Sequence, residues 1–291
     1  MTGARTVRRM PPLITLPAFV LMLFLFVLPA IAMAAMAFFS SSFLGIEWAP
    51  TLRNFDRLFN SNVALPVLGR TLQIAAITTA VVLVLSYPAA YWIATRASGI
   101  RNLLLLLILL PYWISYVVRT YAWYPLLGTN GVLNSVLVGT GILSEPSPIF
   151  LFSQVSVYLG LIYVWFPFAT VPIYLALDRI DRSYLEASAD LGASRIQSFW
   201  TVVLPLSMPG VIGGGLLVFI LSAGSYVTPK LLGSPSSIMF GEVIVDQFGG
   251  TFDWGFGAAL ALALTFSIAV LLIVLSRWMR LREVFLGREA G

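Results

Sequence analysis

The stretch NLLLLLILLPYWISYVV, residues 102–118, carries no Asp, Glu, Lys or Arg, and GAALALALTFSIAVLLIVLS, residues 257–276, carries none either. Runs this apolar can be accommodated in a bilayer only as helices, because hydrocarbon offers backbone N–H and C=O groups no partner outside the segment. About 20 residues suffice to cross. Six such spans can be drawn, at about 12–39, 68–95, 102–125, 151–177, 206–228 and 256–279. The composition agrees: 59% of the residues are hydrophobic and 10% charged, where soluble domains carry roughly 25% charged residues. The expected fold is all-α, a polytopic membrane protein with six transmembrane helices in a single domain, residues 1–291.

Arg5, Arg8 and Arg9 precede the first span. A cleavable signal peptide has an apolar region of only about 7–15 residues, so this longer run is expected to stay as an anchor. The basic residues other than Arg119 set the orientation. Arg5, Arg8, Arg9, Arg96, Arg101, Arg179, Arg182, Arg195, Arg277, Arg280, Arg282 and Arg288 fall on one side, and Arg53, Arg57, Arg70 and Lys230 on the other. The first set marks the cytoplasm, so both termini are expected there and the outer loops fall at roughly 40–67, 126–150 and 229–255. Trp48, Trp123, Tyr124 and Trp254 sit near outer span edges, as aromatic belts do.

The chain has no Cys and no His, which excludes disulfides and thiolate metal sites and removes the commonest general base. No glycine-rich phosphate loop is present, so the chain itself is not expected to hydrolyse ATP. No Asp or Glu lies deep in a span, which argues against an ion-coupled carrier working alone. The net charge of +5 follows from cytoplasmic arginines and is not a nucleic-acid footprint. Prolines 111, 167, 172 and 209 and the triplet Gly213-Gly214-Gly215 interrupt the spans, fitting either close helix packing or a gated pathway. Arg119, near the outer end of the third span, either snorkels to the interface or faces a pathway.

One segment departs from this apolar plan: EASADLGASRIQSFWTVVLP, residues 186–205. Ser183 and Glu186 have the spacing of a helix-starting capping box, and so do Ser194 and Gln197. Gly192 stands between them, where a left-handed residue would end the first helix. The expectation is a short helix, a glycine turn and a second helix feeding the fifth span, together a cytoplasmic element at 178–205.

Glu186-Ala187-Ser188, Gly192, Val202, Leu204 and Pro205 match the spacing E-A-A-x3-G-x9-I-x-L-P and resemble the EAA loop of permease subunits in bacterial ABC importers. Ser188 replaces the third motif residue and Val202 the isoleucine. NFDRLF, SYPAAYWIA, NGVLNSVL, YVTPKLLG and DWGFGAA extend the likeness to the spermidine/putrescine-type permeases. The resemblance implies a type I importer permease fold in the bacterial inner membrane. It implies a second, similar permease, two cytoplasmic ATPases using ATP and Mg, and a periplasmic solute-binding protein. No cofactor would be bound by this chain. The helix starting near Ser183 would dock on the ATPase. Glu186 would make a polar contact, Ala187 a close one, Gly192 would form the turn, and Leu204 and Pro205 would fix the exit into the fifth span.

A polyamine is a polycation and calls for carboxylates and aromatic faces. Trp113, Tyr121, Tyr226, Asp246 and Asp253 are the candidates for its path, with Arg119 beside them. Arg119 and Lys230 carry the opposite preference, and other small amines or amino-acid-derived solutes stay open.

Overall fold

The computed structural model describes residues 12–42 and 45–286; Arg5, Arg8, Arg9 and Arg288 lie outside the described residues. Five helices are long and apolar enough to cross a membrane, over Phe19–Met36, Ala64–Ala94, Gln154–Asp178, Arg195–Ala223 and Trp254–Arg277. A bent pair, Ser98–Trp113 with Tyr116–Gly139, passes the same test when its two halves are taken together, and brings the number to six if it is one broken span.

That pair corrects the expected third span. Helix Ser98–Leu109 tightens into a 3-10 turn at Leu110–Trp113, and the backbone is extended at Ile114. Short helices Tyr116–Tyr121, Tyr124–Leu127 and Val132–Gly139 follow, after a bend of 99°. Pro111 is the physical reason: it has no N–H for the carbonyl one turn back, and its ring crowds that carbonyl. The expected fifth span, 206–228, is shifted as well. Its helix begins at Arg195 and ends at Ala223, and Val227–Leu232 is a separate short helix.

Two five-residue π-turns interrupt long helices, at Leu23–Val27 and at Phe199–Val203, and each is followed directly by Leu-Pro. Proline cannot donate to the carbonyl four residues before it. The wider turn takes up that defect locally, so the helix runs on instead of breaking. Pro205 therefore sits inside a continuous helix.

The chain divides into two compact units, Met1–Ser61 with Ile244–Gly291 and Asn62–Val243. In the second unit, Ala64–Ala94, Gln154–Asp178 and Leu204–Ala223 pack on one another around Val82, Ala90, Ala169, Ile173 and Val218. Lipid removes the hydrophobic drive between helices, so close packing of small residues takes over. Gly210 and Gly214 provide it: a Cβ at Gly210 would stand 2.6 Å from the Pro172 carbonyl, and one at Gly214 3.0 Å from the Ala169 Cα. Hydroxyls fix the register, Ser86 donating to the Phe166 carbonyl at 3.2 Å and Tyr87 meeting Ser207 at 2.9 Å. Such bonds contribute about 0.6 kcal/mol each in a membrane, so they specify the arrangement more than they stabilise it. Arg101 and Asp178 pair at 2.5 Å where the third span starts and the fourth ends.

In the first unit the helix Trp254–Leu286 packs on Leu28–Met36, on the short helix Arg53–Phe59 and on a hairpin of strands Phe39–Ser42 and Gly45–Pro50. The hairpin is the one departure from an all-helical plan among the described residues. Gly255 permits it, because any side chain there would strike the Phe39 carbonyl. Asn54, buried, ties the hairpin down by donating to the carbonyls of Ala37 at 3.0 Å and Phe39 at 2.9 Å.

Candidate functional site

Local sequence alone builds the segment after Asp178. Asp181 is the N-cap of helix Arg182–Asp190, its carboxylate accepting the Ser183 N–H at 2.9 Å. This corrects the expected cap at Ser183, which is the second helical residue. Asp181 has the extended backbone a cap requires, and the Ser183 N–H holds its carboxyl below the usual aspartate range. The helix ends in a Schellman turn: Ala193 N–H reaches the Ser188 carbonyl at 3.0 Å and Gly192 N–H the Ala189 carbonyl at 2.9 Å. Gly192 has φ +84°, the left-handed conformation that glycine adopts without a Cβ penalty. The second capping box forms as read, Ser194 and Gln197 each accepting the other's backbone N–H.

The two arms of the turn are joined. Ser188 Oγ lies 2.5 Å from Ser198 Oγ, and the two hydroxyls lie 3.3 and 3.2 Å from the carbonyls of Leu185 and Ser194. Ser198 is buried and Ser188 half-buried, while Ser183, Glu186, Ala187 and Gly192 are all exposed. Leu204 is half-buried and Pro205 exposed. Leu191 is 88% exposed, Ile196 72% and Tyr184 57%, although they lie in the most polar stretch of the chain. Large apolar side chains left exposed together are the kind found where a protein meets another protein or a membrane. Motif spacing located Glu186, Ala187 and Gly192. Neither Asp181 nor Ser198 was found that way; the Asp before Arg182 was a legible cap, but nothing local signals the Ser188–Ser198 contact.

Of the proposed pathway residues, Trp113, Arg119, Tyr121 and Tyr226 belong to the second unit, and Asp246 and Asp253 to the first. Arg119 is enclosed by aromatic rings. It is 9% exposed, with its guanidinium over the Tyr112 ring at 4.2 Å and Tyr116 at 5.9 Å. Rings of Phe168 and Trp165 continue that cluster. Trp113 is 80% exposed, Tyr121 stacks beside Tyr124, and Tyr226 lies in the break before Val227–Leu232. In the other unit, Asp246 is exposed on helix Phe240–Gly249. Asp253 is committed locally, to Arg57 at 2.5 Å and to the Phe256 N–H at 3.2 Å.

This six-span arrangement with its capped, glycine-turned segment has clear relatives. Residues 86–283 match the family of binding-protein-dependent transport system inner membrane components. The chain belongs to that family. This permease is 35% identical over 257 residues to the spermidine/putrescine transport system permease protein PotB of Haemophilus influenzae, covering 88% of this chain and 89% of the relative. To PotB of Escherichia coli K12 it is 38% identical over 231 residues, 79% of this chain and 83% of that one. Among solved structures, a bacterial ABC transporter that imports the acidic polysaccharide alginate superposes with a TM-score of 0.72 at 17% identity, over 92% of this chain and 94% of that one. At that identity the likeness concerns the fold. The permease is thus a multi-pass subunit of the membrane part of an ABC importer.

Proposed function

We propose that this permease is one transmembrane half of an ATP-driven importer of polyamines or closely related small amines. The observation that carries the reading is the similarity to PotB over nearly nine-tenths of the chain. The whole chain would work as one permease domain, paired with a second, similar permease, two cytoplasmic ATPases and a periplasmic solute-binding protein. ATP and Mg would be used by the ATPases and not by this chain. Both termini would be cytoplasmic, from the arginine distribution. In this reading the exposed face of Tyr184, Leu191 and Ile196 sits on the ATPase, with Glu186 and Ala187 in the contact and Gly192 setting the turn. The continuous helix Arg195–Ala223 would then carry displacement into the membrane.

The test is ATPase activity of the complex copurified with this chain in lipid, screened with its binding protein and candidate solutes. Stimulation by spermidine or putrescine is expected. Stimulation by a different solute would keep the importer and replace the substrate. A chain that copurifies with no ATPase and takes up solute on an ion gradient would be a carrier working alone.

A further inference from the structure

Arg119 sits inside the bent pair Ser98–Trp113 with Tyr116–Gly139, and its charge is not answered among the described residues. Its Nε and Nη1 are buried and make no hydrogen bond. Two further buried donors of the same ring cluster are in the same position, the Tyr112 hydroxyl and the Trp165 indole N–H. The rings connect them. The guanidinium lies over Tyr112, Tyr116 and Trp165 are 6.1 Å apart, and Phe168 is 5.5 Å from both Tyr112 and Trp165. The cluster thus gathers a cation and four donor atoms that no described acceptor meets.

Ring faces offset only part of the cost of such a charge at membrane depth, because the guanidinium N–H groups still need lone pairs to donate to. No described carboxylate pairs with Arg119. In its unit Asp178 is taken by Arg101 and Asp181 by the Ser183 N–H, Glu242 is engaged elsewhere, and Glu145, Glu186 and Asp190 are exposed. Hydrocarbon supplies no acceptor, and a polycationic solute would bring charge of the same sign. Beside the cluster, Tyr112 forms a wall of two apolar crevices of about 350 and 280 Å³. One reaches Tyr163 and Phe166, the other Phe168 and Leu217. Both have room for large side chains of a neighbouring helix, as ridges fill grooves.

We propose that an aspartate or glutamate of the second permease completes this cluster, its carboxylate accepting from Arg119 while its helix fills the crevices beside Tyr112. The inference rests on the importer reading, which supplies the second permease. Charges inside a membrane pair with one another or line water, and a carboxylate offers acceptors to several donors at once.

The test is recovery of the second permease with this chain, expressed with the whole importer and purified into lipid nanodiscs. Arg119→Met, apolar and of similar reach, should lower that recovery at least tenfold, because it strands the facing carboxylate; Arg119→Lys should lower it less. In the Arg119→Glu background, each Asp and Glu in the membrane segments of the second permease is changed in turn to Arg. One of these swaps should restore both recovery and ATP-driven uptake, which a merely structural arginine would not allow. Recovery within twofold of wild type for Arg119→Met overturns the proposal, and so does a scan in which no swap restores Arg119→Glu. If no swap restores it and wild-type recovery depends on phosphatidylglycerol in the nanodisc, the cluster holds a lipid phosphate and the proposal is likewise overturned. Should Arg119→Glu fail to insert, Arg119→Met combined with Asp→Asn and Glu→Gln changes in the second permease decides in the same way. A wild-type chain that recovers no second permease would instead refute the importer reading, a separate result.

Discussion

The hydroxyls of Ser188 and Ser198 meet at 2.5 Å across the left-handed turn at Gly192. Ser188 is bound twice, since its carbonyl also accepts the Ala193 N–H that closes the turn. The short helix and the helix entering the fifth span are thus joined by main chain and by side chain. In the proposed importer such a joint would turn as one body and transmit displacement that a loose one would absorb.

A cysteine pair measures this directly, because the chain has no Cys of its own. The double variant Ser188→Cys/Ser198→Cys is expected to cross-link under mild oxidation at the same rate with and without trapped nucleotide. The oxidised complex should keep its uptake. A cross-linking rate that collapses in one state, or uptake recovered only on reduction, would show a hinge at Gly192 instead.

Gly192→Val should leave the chain inserted and assembled but lower solute taken up per ATP hydrolysed. No atom lies within 4 Å of the position a Cβ would take, so the penalty is conformational. A β-branched residue at φ +84° costs roughly 1–2 kcal/mol, relieved by tilting the helix Arg182–Asp190. Gly192→Asn, which tolerates that region better, should fall between. Equal uptake per ATP in all three forms would remove any role for the turn.

Gly210 and Gly213 make a matched pair on one helix. A side chain at Gly210 strikes Ala176 and Pro172, whereas Gly213 has nothing within 4 Å. Overpacking of this kind typically costs about 1–3 kcal/mol. Gly210→Leu should lower the unfolding temperature in detergent, while Gly213→Ala should hold or raise it. Similar behaviour of the two would contradict the packing of Gln154–Asp178 on Leu204–Ala223.

Asp181 predicts a pH dependence. Its folded-state pKa is lowered by the Ser183 N–H, so its stabilisation of the helix is complete above the ordinary aspartate value. That stabilisation disappears as pH falls through the lower folded value. The protection factors of the first-turn amides, measured against the intrinsic rate at each pH, should therefore be high at neutral pH and fall in acid. Asp181→Asn, still a good cap, should abolish the excess acid sensitivity, and Asp181→Ala should exchange quickly at both ends.

The sequence by itself determined five of the spans, because lipid forces long apolar runs to be helices and keeps most charges near their ends. It also determined the glycine turn and the second capping box at Ser194, since both depend on residues within one or two turns. Fixed spacing between Glu186, Gly192 and Pro205 exposed the family for the same local reason. Tertiary structure decided the rest. Pro111 could have kinked a rod, but packing of Tyr112 on Phe168 and of Tyr116 against Ser225 and Thr228 accompanies a 99° bend. The same packing buried Arg119 under rings that the sequence could not bring together. Asp253 read as a candidate for the path of a cation because its partner Arg57 stands 196 positions away. Local periodicity carries no record of contacts at that separation; only the closed chain brings Arg57 to Asp253.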